Sequence, residues 1–253
     1  MSNFLNSIDS RFQVAAPSWV IPGTIVENCR FLAGKVDEIA LLFFEAKSCL
    51  AYTKADLPQE LAEIGLSFHI HHPLDLPWHE GGAAVAQTVI ALNEKAAHLN
   101  PAAHVIHPPA AGRSAAGLIY DFAEVISRSD IKPGTVLFEN IKENSLLGIG
   151  GVIADCDMKI CLDLGHILAY AQDDLLYDES IDGLVSMLHL NAPGPGGRHL
   201  GLDTLDVAGL EIMSILLKMV ANDGTLTVEV FEEGPFFKSL QLLNENCIIR
   251  NGK

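Results

Sequence analysis

The stretch Met158-Lys159-Ile160-Cys161-Leu162-Asp163-Leu164-Gly165-His166 decides how the whole chain is read. It begins as a short apolar run, the form taken by a strand buried on both faces of a parallel sheet. The run stops on a carboxylate, turns through Gly165 and presents a histidine three residues later; a helix-like segment, Ile167 to Ala171, follows at once. A strand ending in Asp and a turn carrying His put two metal-binding groups at one spot. Taken alone, the same residues also describe a helix N-cap aspartate beside a surface histidine. Repetition along the chain decides between the two.

Outward from this stretch, the design recurs. Strands are expected at Ser18 to Ile21, Glu38 to Glu45, Leu66 to His72, Ala103 to His107 and Thr135 to Glu139 before it, and at Leu184 to Leu190 and Thr225 to Phe231 after it. Helical segments lie between them. One starts near Ile25, one spans Leu57 to Ile64 with Pro58 in its first turn, and a long one runs from Gly82 to His98. Others run from a Ser114 cap to Arg128, to about Ala154, from Leu205 to Asn222 and from Phe236 to Leu243. A loop rich in Gly and Pro, Ala192 to Gly201, follows the seventh strand. Strand then helix, eight times without a linker, predicts a parallel sheet closed into a (β/α)8 TIM barrel, an α/β fold in which residues 1–253 form one domain.

Composition agrees. The chain has 253 residues, 49% of them apolar, enough for one full core. Its 32 Asp and Glu outnumber 16 Lys and Arg, a net charge of -16 that argues against a grip on nucleic acid. An anionic substrate stays open, because metal ions supply local positive charge. The five cysteines, Cys29, Cys49, Cys156, Cys161 and Cys247, are odd in number and form no CxxC pair. They read as reduced thiols of a cytoplasmic protein. No signal peptide is expected at the N-terminus, and no apolar run reaches the roughly 18 residues that would make a membrane a partner.

In a TIM barrel the active site lies at the carboxyl ends of the strands. Glu45, His71, His107, Glu139, Asp163, His189 and Glu229 all stand at or near such ends, and His166 and His199 lie in the loops just beyond. A set of His, Asp and Glu without Cys suits a divalent ion, zinc first, with manganese, iron or cobalt as alternatives. Among His69, His71 and His72, period 2 puts His69 and His71 on one face, and His71 is nearer the strand end. Glu45 fits a metal ligand, a catalytic base or a structural pairing. Arg113 and Arg198 are candidates for holding a phosphate, or for ordinary surface ion pairs. Trp78 is a candidate for stacking on a planar ligand, or a lid anchor.

The segments Phe138-Glu139-Asn140, Leu162-Asp163-Leu164-Gly165-His166, Leu188-His189-Leu190-Asn191 and Arg198-His199 resemble the apurinic-endonuclease and sugar-isomerase superfamily of TIM barrels. Ser18-Trp19-Val20-Ile21-Pro22-Gly23-Thr24, Leu41-Leu42-Phe43-Phe44-Glu45 and His71-His72-Pro73-Leu74-Asp75-Leu76-Pro77-Trp78 resemble, within it, the cobamide-remodelling phosphodiesterases. The first resemblance implies His71, His107 and Glu139 as ligands of one metal. It implies Glu139, Asp163, His189 and Glu229 as ligands of a second, with Glu139 bridging, and His166 and His199 as ligands of a third. The endonuclease pattern has Asp-Arg-His where this chain has Gly197-Arg198-His199, which removes a carboxylate from the third site. The second resemblance implies a corrinoid substrate whose nucleotide-loop phosphodiester is hydrolysed with two or three metal ions per chain. Glu45, Glu139 and Glu229 are then the catalytic carboxylates, and Arg113, Arg198 and Trp78 the substrate contacts. The alternative is a sugar (phosphate) isomerase or epimerase, which needs one divalent metal held by Glu139, Asp163, His189 and Glu229.

Overall fold

A computed structural model describes residues 12–221 and 223–246; Asn222, the expected end of one helix, and Cys247 lie outside them. Eight strands, β1 (Gln13–Pro17), β2 (Glu38–Leu42), β3 (Ser67–His71), β4 (His104–Ile106), β5 (Val136–Glu139), β6 (Lys159–Asp163), β7 (Val185–Leu190) and β8 (Thr225–Val228), close into a barrel. Every neighbouring pair is parallel, and β1 closes the ring against both β2 and β8. The helices α1 (Ile25–Leu32), α2 (Ala46–Leu50), α3 (Gly82–Ala96) and α4 (Ala115–Ile126) follow the first four strands. Helices α5 (Gly150–Asp155), α6 (Leu164–Tyr170), α7 (Val207–Met219) and α8 (Glu233–Glu245) follow the rest. This is the (β/α)8 barrel expected from the alternation of elements. Among the described residues no helix is long and apolar enough to cross a membrane, and Cys29, Cys49, Cys156 and Cys161 are free thiols.

Period 2 sorts the side chains of each strand. Ile39 and Leu41 of β2, Phe68 and Ile70 of β3, Phe138 of β5 and Leu162 of β6 face outward into the layer shared with the helices. Inside the barrel, Val105, Leu137, Cys161 and Met187 form a small second core. Toward the carboxyl ends this inner row turns polar, and the site begins there. The helix layer is tight where α3 meets α4. A Cβ on Gly82 would lie 2.0 Å from the Leu118 carbonyl oxygen, so only glycine fits that crossing.

Three local expectations are corrected. The first strand is Gln13–Pro17 rather than Ser18 to Ile21. The amides of Val20 and Ile21 are captured by the Asn28 side chain at 2.7 and 2.9 Å, which holds that segment as a loop. Leu57 to Ile64 contributes only a 3-10 turn, Gln59–Glu63, with Pro58 ahead of it rather than inside it. Gly165 is no turn: α6 starts at Leu164, directly after Asp163. Glycine is needed because a Cβ there would stand 1.8 Å from Asn191 Oδ1.

Candidate metal centre

Glu139, the last residue of β5, is 1% exposed and forms the hub. Its Oε2 lies 3.1 Å from His71 Nε2 and 3.1 Å from His107 Nε2. Its Oε1 lies 2.9 Å from His189 Nδ1 and 3.8 Å from His166 Nδ1. The two oxygens therefore serve two different groups of imidazoles. Glu229, just past β8, reaches His189 at 3.5 Å and His199 at 3.3 Å. Asp163 ends β6 opposite His189 in the β6–β7 register. One donor atom from each of Glu139, Asp163, His189 and Glu229 can be chosen so that all four lie within 4.8 Å of one another, and the same holds for His71, Glu139 and His189.

A second set of side chains fixes the donors. Asp163 caps α6, its Oδ1 accepting from the His166 amide at 2.6 Å, while its Oδ2 accepts from Asn191 Nδ2 at 2.9 Å. Asp163 thus caps a helix, as one reading of the opening stretch has it, and faces the cluster at once. Asn140 clamps the end of β6, accepting from the Asp163 amide at 2.7 Å and donating to its carbonyl at 3.2 Å. Gln172 in turn accepts from Asn140 at 2.9 Å. His166 Nδ1 donates to the Asn140 carbonyl at 2.8 Å, and His199 Nδ1 to the Glu229 carbonyl at 3.0 Å. Holding the proton on Nδ1 leaves each Nε2 lone pair free to bind a metal, the usual orienting device of histidine ligands. Their rings face each other edge to face, with centroids 6.1 Å apart.

The electrostatics show strong mutual dependence. Burial would raise the pKa of Glu139, yet the imidazoles of His189, His107 and His71 hold it well below the usual carboxylate range. Burial acts likewise on Glu229, and His189 and His199 bring it down to about 2. Burial would lower the pKa of His199, but Glu229 and Asp163 lift it to about 9. Two like charges 4 Å apart repel by about 4 kcal/mol at an effective dielectric of 20. Burial, with Glu139 and Glu229 nearby, pushes the Asp163 carboxyl up, and carboxylates this close need positive charge between them to stay ionised. Protonated imidazoles supply it in the metal-free protein, and divalent ions fit the same demand. The donor set, its depth and the locked tautomers all suit such ions.

Above the hub opens a cavity of about 600 Å³ with Glu139, His71, His107, His166, His199 and Glu229 at its floor. Phe44, Leu74, Trp78, Tyr170 and Phe231 form its walls. His71 is thus the member of its triplet that reaches the cluster. His69 pairs with Glu38 at 2.8 Å deeper in the barrel, and His72 bonds His104 at 3.1 Å.

Three expected site residues stand elsewhere. Glu45 is exposed, accepts from Ser48 Oγ at 3.0 Å and is absent from the cavity lining, because β2 ends at Leu42 and the chain has already turned toward α2. Arg113 and Arg198 are exposed outside the lining as well. Trp78 does line the cavity, but as an anchored wall. Its Nε1 donates to the His107 carbonyl at 3.0 Å and its ring packs on Phe122 and Phe138. The sequence reading missed Lys142, the one Lys or Arg in the lining among the described residues, together with Asn140 and Asn191 as clamps. The signal for the clamps was an Asn one or two residues beyond a strand-end ligand, in Glu139-Asn140 and His189-Leu190-Asn191.

No family model and no curated protein matches the chain. Solved structures do. It is similar to a D-tagatose 3-epimerase-like protein, with a TM-score of 0.67 and 16% identity over 93% of this chain and 97% of that one. It is also similar to endonuclease IV from Thermus thermophilus, with a TM-score of 0.65 and 18% identity over 92% and 98% of the two chains. A xylose isomerase domain protein from Planctomyces limnophilus gives 0.64 and 15% over 94% and 96%. At these identities the likeness shows one thing, that this chain has the closed barrel common to sugar epimerases, a xylose isomerase domain and an endonuclease.

Proposed function

We propose that this chain is a metal-dependent phosphodiesterase that opens the nucleotide loop of cobamides. The observation that carries the hydrolase reading is the double use of Glu139, whose two oxygens face two separate groups of imidazoles. Five histidines and three carboxylates exceed what one ion needs. Divalent ions held there supply Lewis acidity toward phosphoryl oxygens and lower the pKa of the attacking water. The chain's own residues do the rest. Glu139, Asp163 and Glu229 hold negative charge in place. His166 and His199 donate their Nδ1 protons to backbone carbonyls, which leaves Nε2 as the metal-binding nitrogen. Lys142 at the rim meets the substrate phosphate as a cation, the part first assigned to Arg113 and Arg198. Water adds to phosphorus, one P–O bond breaks, and a phosphate monoester and an alcohol leave.

The corrinoid assignment is supported by the resemblance in residues 18–24, 41–45 and 71–78 and by the apolar walls of the cavity. A small molecule rather than nucleic acid is supported by the charge of -16.

A second reading, ketose epimerisation around one ion, is favoured by the compact set Glu139, Asp163, His189 and Glu229 and by the epimerase neighbours. It leaves His71 and His107 without work. Incubating metal-loaded protein with adenosylcobalamin, with Glu139→Gln as control, tests both. Release of a cobinamide species and a ribazole species by the wild type alone is expected. Intact cobalamin together with C3 epimerisation of a ketose such as fructose would replace the first reading by the second.

A further inference from the structure

Trp19, Phe44 and Leu74 are large apolar side chains left 46%, 52% and 66% exposed. They do not lie at random. Each sits in the loop just after β1, β2 or β3, and those strands are consecutive in the barrel. The loops after β2 and β3 open at the mouth of the cavity, where Phe44 and Leu74 belong to its lining, and Trp19 adjoins them through Phe44. Trp19 and Phe44 meet edge to face with centroids 6.2 Å apart, so they form one continuous surface. Behind this surface the backbone is fixed. Ser18 Oγ accepts from the Leu42 amide, and Asn28 holds Val20 and Ile21. An exposed apolar patch on a rigid rim, joined to a polar cavity, is the form of a ligand site with two chemistries.

We infer that Trp19, Phe44 and Leu74 form a ledge that seats the corrin ring of the substrate while its phosphodiester arm descends to Glu139. The inference rests on the phosphodiesterase reading and adds the second half of the site. In this reading the phosphodiester arm enters the cavity of about 600 Å³ and the ring stays at its mouth. The ring needs an apolar seat beside the mouth, and the floor offers only carboxylates and imidazoles. The ledge supplies aromatic edges and faces to the methyl and methylene groups of a broad macrocycle. It is a binding surface and contributes no group to the chemistry.

The test uses cobinamide, which keeps the corrin ring and lacks the phosphodiester arm. Metal-free protein is titrated with it, following quenching of tryptophan fluorescence and, independently, heat of binding. Saturable binding by the wild type is expected, weakened roughly tenfold or more in a Trp19→Ala/Phe44→Ala double variant. Leu74→Asp, at the most exposed of the three positions, serves as a second variant should the double variant fold poorly, and it is expected to weaken binding as well. Equal binding by wild type and variants overturns the ledge, as does a shift in oligomeric state in the variants with binding unchanged, which would make the patch a subunit contact. Binding of cobinamide without cleavage of any cobamide would sink the phosphodiesterase reading and leave the ledge standing. Cleavage of cobamides without ledge-dependent binding would do the reverse.

Discussion

Glu139 is the hub of the cluster, and its charge is expected to matter more than its shape. Glu139→Gln preserves size but removes the negative charge that both groups of imidazoles share, so metal binding and turnover are expected to disappear together. Asp163 depends on Asn191 in turn, and Asn191 depends on Gly165 having no side chain. Gly165→Ala is expected to push Asn191 away from Asp163 and to lower metal affinity by about 10–100-fold. Isothermal titration with zinc reads this directly, and unchanged affinity would show that Asn191 does not orient the ligand. At the rim, Lys142→Met is expected to reduce kcat/KM for a phosphodiester about tenfold, with Lys142→Arg restoring part of it. A neutral sugar substrate handled equally by both variants and the wild type would point to the epimerase instead.

The elements place these residues through backbone register. Asp163 and His189 are Cα partners across β6 and β7, so one shift of a residue would send one of them outward. Most of this was legible in the sequence because strand-end position is a local property. Apolar runs ending on Glu139 or Asp163 mark both the strand and the side chain it presents. What was not legible depended on contacts between segments. Asn28 turns Val20 and Ile21 from a strand into a loop across the sequence gap to α1. Glu45 looked like a strand-end ligand, but β2 ends at Leu42, three residues earlier. Lys142 carries no motif at all, and only the closed barrel shows that it borders the cavity. The α3–α4 crossing leaves no room for a side chain at Gly82. Gly82→Ala is expected to cost about 1–3 kcal/mol by forcing the helices apart. Urea unfolding would show this as a lower midpoint, and an unchanged midpoint would mean the crossing is slack.

The whole molecule ties proton, metal and fold into one equilibrium. In the metal-free protein His199 is raised from an ordinary 6.5 to about 9, so between those values the folded state holds a proton the unfolded state has lost. Its contribution to stability is full below about 6.5 and vanishes as pH rises through 9. Glu229, held at about 2 against 4.5, works in the opposite sense and loses its contribution as pH falls from 4.5 toward 2. Stability of the chelated protein is therefore expected to peak in mildly acidic solution and to fall between about pH 6.5 and 9. Metal ions bound at the cluster would displace these protons, so metal affinity is expected to rise over the same range. Denaturation midpoints with and without zinc across about pH 6 to 9 check both signs, and a flat chelated profile would contradict them.

The number of ions bound per chain is the sharpest measurement, since it separates a centre shared by the two oxygens of Glu139 from a one-ion isomerase site. Protein loaded with zinc, freed of excess by dialysis and weighed for metal by plasma mass spectrometry is expected to hold two or three ions per chain, falling when His71 and His107 are both replaced by alanine. One ion per chain, unaffected by that double replacement, would contradict a polynuclear centre at Glu139.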